Sequence, residues 1–154
     1  MTIPYYESIN LIERLHRQFL DVLKVELERA GILDINNVQS LILHNISTDE
    51  LTVGELTVRG YYLGSNVSYN VKKMVENGYL LQEKSIHDKG SIRVKLSDKG
   101  HKLNNAIIHL YKKHEANLIA ANLPAERLEA MNKVLRDLEN FWGDQMGSGG
   151  LTLG

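Results

Sequence analysis

The 154-residue sequence contains no cysteine. That absence excludes disulfides, thiolate metal sites, cysteine nucleophiles and thiol-based redox sensing. No apolar run approaches the roughly 20 residues of a membrane-spanning helix. The start, MTIPYYESIN, lacks the basic residues and apolar stretch of a signal peptide. A soluble, cytoplasmic protein with no membrane partner is therefore expected. Catalytic signatures are missing too: there is no P-loop, GxGxxG, GxSxG or HExxH. The glycines of VRGYYLG do not have phosphate-cradle spacing, and Tyr61 and Tyr62 read as packing around a turn. No enzymatic activity and no cofactor are expected.

Metal chemistry is thinly supported. Of the six histidines, His109 and His114 are five residues apart and do not share a helix face. His16, His44 and His109 are the set a fold could bring together, but no tight His/carboxylate motif accompanies them. His87 reads as a surface or DNA-backbone residue. No metal site is expected.

Net charge is also nearly absent, at −1, but it is unevenly spread. Residues 64–102 hold eight of the 18 Lys and Arg but only four of the 19 Asp and Glu. One segment is basic and its scaffold acidic, the pattern of a face directed at phosphate and kept from sticking elsewhere. With 43% hydrophobic and 24% charged residues, the chain should build a packed core of one domain, or one domain with an oligomerisation extension.

Periodicity places the elements. A stripe of Ile9, Ile12, Leu15, Phe19, Val22, Leu23 and Leu27 predicts a helix from about Pro4 to Ala30, with Gly31 as its stop. Asn36 or Asn37 caps a second helix through Val38, Leu41, Ile42 and Ile46. A short third covers Thr52 to Val58, with Thr52 or Thr48 as candidate cap. In LGSNVSYNVKKMVENGYL, Val67, Val71, Met74 and Val75 recur at helical spacing and face a core, and Gly78 suits the left-handed position after the helix. YLLQEKSI and IRVKLS then read as strands around the turn HDKG, with Ile92, Val94 and Leu96 inward and Arg93 and Lys95 sharing the outward face. Ser97 opens a long helix from about 98 to 121. Pro124 precedes a last one from about 125 to 142, in which Leu128, Met131, Leu135, Leu138 and Trp142 form an a/d seam that suits an intertwined helical dimer or, as the alternative, the core of a monomeric bundle.

Helix, short helix, turn, helix and hairpin over 36–97 is the layout of a winged helix-turn-helix. The helix at 65–73 supplies the functional clue. Its outer face carries Ser65, Asn66, Tyr69, Lys72 and Lys73, with Ser68 and Asn70 at the borders, where a merely solvated face would favour better helix formers. Such side chains suit the major groove of double-stranded DNA, which admits one helix and is read by hydrogen bonds. Ser65 and Asn66 in the first turn come nearest to bases or phosphate, and Asn pairs with adenine in a bidentate way. Tyr69 suits a phosphate or a thymine methyl, and Lys72 and Lys73 the backbone. Lys89 at the hairpin tip, with Arg93 and Lys95, extends the positive surface. A winged-helix adaptor binding protein through the same face is the alternative.

LTVGELTVRGYYLGSNVSYNVKKMVENGYL (51–80) and HDKGSIRVKLSDKG (87–100), the latter with the V-x-L-S/T-x-x-G exit, together resemble the helix-turn-helix and wing of the MarR family of bacterial transcriptional regulators. The order of elements matches over essentially the full length. GYYLGSNVSYN also resembles the LdtR-type subgroup. The resemblance implies a mainly α fold with a small β-hairpin wing, and a ligand-responsive homodimeric regulator, a repressor, on a palindromic operator. It also implies a small, often aromatic, effector between the dimerisation helices and the winged domain. On this reading 1–33 and 98–145 form the helical dimerisation region, with Ile9, Ile12, Leu128, Met131, Leu135, Leu138 and Trp142 at the contact. Residues 34–97 form the DNA-binding domain, and 146–154 a flexible tail. Two departures stand out. Gly90 occupies the place where the family commonly has the minor-groove Arg, leaving Arg93 or Lys89 to substitute, and Asn70 stands where an aliphatic residue is usual.

Overall fold

A computed structural model describes residues 3–60, 64–84, 91–147 and 149–154. The order is α1 (Pro4–Arg29), α2 (Asn37–Ile46), β1 (Leu51–Thr52), α3 (Val53–Gly60), α4 (Gly64–Glu76), β2 (Leu80–Lys84), β3 (Ile92–Leu96), α5 (Asp98–Ala120) and α6 (Ala125–Gln145). The chain divides into two compact units, Met1–Ile107 and Ile108–Gly154. The mainly helical winged architecture expected from the sequence is what the chain adopts.

Local chemistry explains the boundaries. Asn36, not Asn37, caps α2 in a complete capping box: its side chain accepts from the Gln39 N–H while Gln39 Oε1 accepts from the Asn36 N–H. Asn37 instead donates to the Leu20 carbonyl, 3.0 Å away, and fastens α2 to α1. Thr52 accepts from the Glu55 N–H at the start of α3. Helix α4 ends in a Schellman motif, with Gly78 N–H on Val75 O, Tyr79 N–H on Met74 O, and Gly78 at φ +83°. That left-handed φ is why glycine stands there.

The sheet has order β1-β3-β2, antiparallel throughout, with Leu80 opposite Leu96 and Lys84 opposite Ile92. It departs from the expected two-stranded hairpin by one strand: Leu51 and Thr52, expected as loop and helix start, pair with Val94 and Arg93. Two residues are too few to show an alternation in sequence. Ile92, expected inward beside Val94 and Leu96, is instead exposed. It pairs only with Lys84 at the end of the ladder, where β1 has no residue to offer.

The core of the first unit gathers Leu23, Leu27, Ile42, Leu43, Ile46, Leu56, Val67, Val71, Met74, Leu80, Val94, Leu96, Leu103 and Ile107. At about 25 cal/mol per Å² of apolar surface removed from water, these side chains are the main stabilising term. The second unit differs. Helix α6 buries none of its residues within the single chain. Among the described residues no helix is long and apolar enough to cross a membrane.

Candidate nucleic-acid interface

Helix α4 is held by its apolar face. Val67, Val71 and Met74 are buried, as their spacing predicts, and Val75 is half-buried. The opposite face is open: Asn66, Ser68, Lys72 and Lys73 are exposed, and Tyr69 is 62% exposed. Ser65 lies in the first turn of the same helix. A groove of about 370 Å³ lies between α2 and this face, lined by the Asn36 cap, Val38 and Ile42 of the first and Asn66, Val67, Tyr69 and Asn70 of the second.

The candidate cations are not equally available. Lys73 Nζ lies 3.6 Å from Glu76 and 6.0 Å from the Tyr69 ring centroid. Lys95 pairs with Glu83 of the neighbouring strand at 3.2 Å. Arg93 is half-buried, opposite Glu83 on one side and Thr52 on the other. These pairs are exposed and individually weak, so a phosphate can displace them at small cost. His87, Asp88, Lys89 and Gly90, with Tyr61 and Tyr62, lie outside the described residues.

Asn70 is half-buried and committed within the protein. Its Nδ2 donates to the Asn66 carbonyl at 2.8 Å, and its Oδ1 accepts from Gln39 Nε2 at 3.1 Å. Gln39, 7% exposed, was not singled out by the sequence. Asn70, expected at the border of the DNA-facing side, turns instead to Gln39, a partner that the pattern of its own segment does not reveal.

A polar clasp ties the far end of α4 to α5. Asp34 accepts from the Tyr79 hydroxyl and from Lys99 Nζ (2.6 Å), while its backbone carbonyl accepts from Asn77 Nδ2. Lys99 also donates to the Asn77 carbonyl and lies 4.3 Å from the centroid of the Tyr79 ring. The Lys99 hydrogen bond, then that of Tyr79, holds the Asp34 carboxyl below its ordinary value, against a smaller opposing effect of burial. Burial, then Asp34, pushes the Tyr79 phenol well above its usual range. Ser97 accepts from the Gly100 N–H and donates to the Gly78 carbonyl. A Cβ on Gly100 would collide with the Tyr79 carbonyl, which explains the glycine of the wing exit.

The apolar positions expected at a dimer contact are on the surface in the single chain. Ile9, Met131 and Leu135 are exposed, and Ile12, Leu128, Leu138 and Trp142 half-buried. Leu11, Leu15, Val134 and Phe141 add to the exposed apolar surface of the same two helices. His44 Nδ1 is 2.8 Å from the buried Asn104 Oδ1. Among the described residues no three His, Asp or Glu side chains gather in a way that could hold a metal ion.

Comparison with known proteins adds three findings. Residues 33–89 match the model of the MarR family. The exopolysaccharide II synthesis transcriptional activator ExpG of Rhizobium meliloti (strain 1021) is 36% identical over 142 residues, covering 92% of this chain and 73% of that protein. Among solved structures, Staphylococcus aureus MarR in complex with salicylate and kanamycin superposes with a TM-score of 0.75 at 22% identity, over 92% of this chain and 93% of that one. Streptococcus pneumoniae FabT in complex with DNA gives 0.73 at 18% identity, over 91% of this chain and 98% of that one.

Proposed function

The chain belongs to the MarR family, and on that footing we propose that it is a homodimeric, DNA-binding transcriptional regulator. The observation that carries the reading is helix α4: its apolar side is buried in the winged core while Asn66, Ser68, Tyr69, Lys72 and Lys73 stand outward on the other. A single helix presented this way fits the major groove, with amide and phenol groups for base edges and lysines for phosphate. Ser65 in the first turn, with Lys89, Arg93 and Lys95 of the wing, completes the set. FabT, of like fold, is seen bound to DNA.

The helical segments 1–33 and 98–145 dimerise, 34–97 reads the DNA, and 146–154 is a tail without a part in either. Exposed Ile9, Leu11 and Leu15 on α1, and Met131 and Leu135 on α6, support that division, since such surface is stable when a second chain covers it. A twofold dimer presents two α4 helices to a palindromic operator. Seated on a promoter, it represses by occlusion. The relative ExpG is named an activator, so in vitro transcription from templates with the site inside or upstream of the promoter assigns the sign. A small aromatic compound, the class to which the salicylate of the S. aureus MarR structure belongs, is the proposed effector.

Side-chain roles are tested by titrating variants against a preferred and a random duplex over a range of salt. Asn66→Ala and Tyr69→Ala should relax sequence preference. Lys72→Ala and Lys73→Ala should weaken both duplexes alike and lower the salt slope by about one each. Equal losses on both duplexes in all four variants would refute the division of roles. A mainly apolar protein-binding face would show no steep salt dependence at all.

A further inference from the structure

Behind the reading face, two amide side chains link the N-cap of α2 to the first turn of α4. The Asn36 N–H donates to Gln39 Oε1 at 3.1 Å, Gln39 Nε2 donates to Asn70 Oδ1 at 3.1 Å, and Asn70 Nδ2 donates to the Asn66 carbonyl at 2.8 Å. Amide oxygen and nitrogen are usually interchangeable in a hydrogen-bond network. Here they are not. A backbone N–H at one end can meet only an oxygen, and a backbone carbonyl at the other only a nitrogen, so both orientations are imposed. Flipping either amide sets like against like twice.

We infer that Gln39 is a positioning residue for DNA recognition, acting through Asn70 to fix the first turn of α4, and with it Asn66, against α2. The inference rests on the DNA-binding reading. Gln39 is 7% exposed and on a different helix from the reading face, so it acts on sequence preference without touching a base. Asn70 has both ends of its amide engaged in the relay and serves DNA recognition by placement. The same geometry locates Asn66 twice, through its carbonyl in the relay and its place in the helix, which suits a side chain that must meet a base edge within hydrogen-bond tolerance.

The test is a double-mutant cycle, measured as preference for a pool-selected duplex over a random one at fixed salt. Gln39→Glu is nearly isosteric, keeps an oxygen for the Asn36 N–H and preserves a capping box, but at neutral pH it has no N–H for Asn70. Preference should fall about tenfold, the order of one mismatched base pair, with the salt slope unchanged because no phosphate contact is lost. Asn70→Ala should fall similarly, and the double variant no further than Asn70→Ala alone. Thermal melts give the folded fraction used to correct each titration.

Wild-type preference in folded Gln39→Glu, with loss only in Asn70→Ala, would mean that Asn70 reads a base directly and would overturn the inference. So would losses that multiply in the double variant, which would make the two residues independent. A wild-type protein that prefers no duplex would overturn the DNA reading and this inference together.

Discussion

Helices α2 and α6 both carry regular apolar residues, yet α2 buries five of its ten residues while α6 buries none of its 21. Helix α2 carries no Asp, Glu, Lys or Arg, whereas α6 is charged along its length and apolar on one seam, so the two differ in composition as well as in cover. Leu43 and Ile46 are enclosed by neighbours of their own unit. The seam of α6, with Met131 and Leu135 open, finds no such cover in its own chain. Helix α1 repeats the contrast along its length, exposing Ile9, Leu11 and Leu15 but burying Leu23 and Leu27. One part of the molecule buries its apolar residues within the single chain, and the other leaves them open, which is the surface the proposed dimer would cover.

The comparison can be sharpened by mutation. The largest effect is expected in the core: Leu43→Ala, at a fully buried site, should cost about 3 kcal/mol in urea unfolding. Next comes Leu135→Glu on α6, which should leave the winged core folded but convert dimer to monomer in sedimentation at micromolar concentration. Specific DNA affinity should then drop about 100-fold, as expected when two half-site contacts no longer act together. A Leu135→Glu protein that remains dimeric with wild-type affinity would break the comparison outright.

The smallest of the three concerns the clasp. Asp34→Asn should cost about 1 kcal/mol, a modest figure because the pair with Lys99 is half-exposed. Its pH dependence has a definite sign. The Asp34 pKa is lowered in the folded state, so its stabilisation is complete above the ordinary carboxylate value of 3.8 and is lost as pH falls through the lower folded value. The stability gap between wild type and Asp34→Asn should stay constant around neutrality and close only below that ordinary value. A gap that narrows between neutrality and about pH 5 would contradict the assignment.

How much of this was legible in the sequence follows the range of each interaction. The inward face of α4 and the turn at Gly78 depend on residues within one or two turns of each other, and their spacing displays them. The cap of α2 is narrowed in the same way only to Asn36 or Asn37. The pairing of Lys73 with Glu76 is equally local. Lys95 with Glu83 requires the hairpin register, which no spacing states. The Gln39–Asn70 bond spans 31 residues, and the bonds of Asp34 to Tyr79 and Lys99 span 45 and 65. Nothing in the pattern of one segment reveals a partner so far along the chain. Strand β1 was hidden for a different reason: at two residues it is defined by what it pairs with and not by its own sequence.

The central claim, that a dimer of this chain reads DNA through α4, is tested most directly by selecting bound duplexes from a random pool and repeating the binding at two salt concentrations. The account predicts an enriched palindrome with half-sites about one helical turn apart, bound with an affinity that falls steeply with salt. A pool without an enriched motif, at low salt and without added effector, would contradict it.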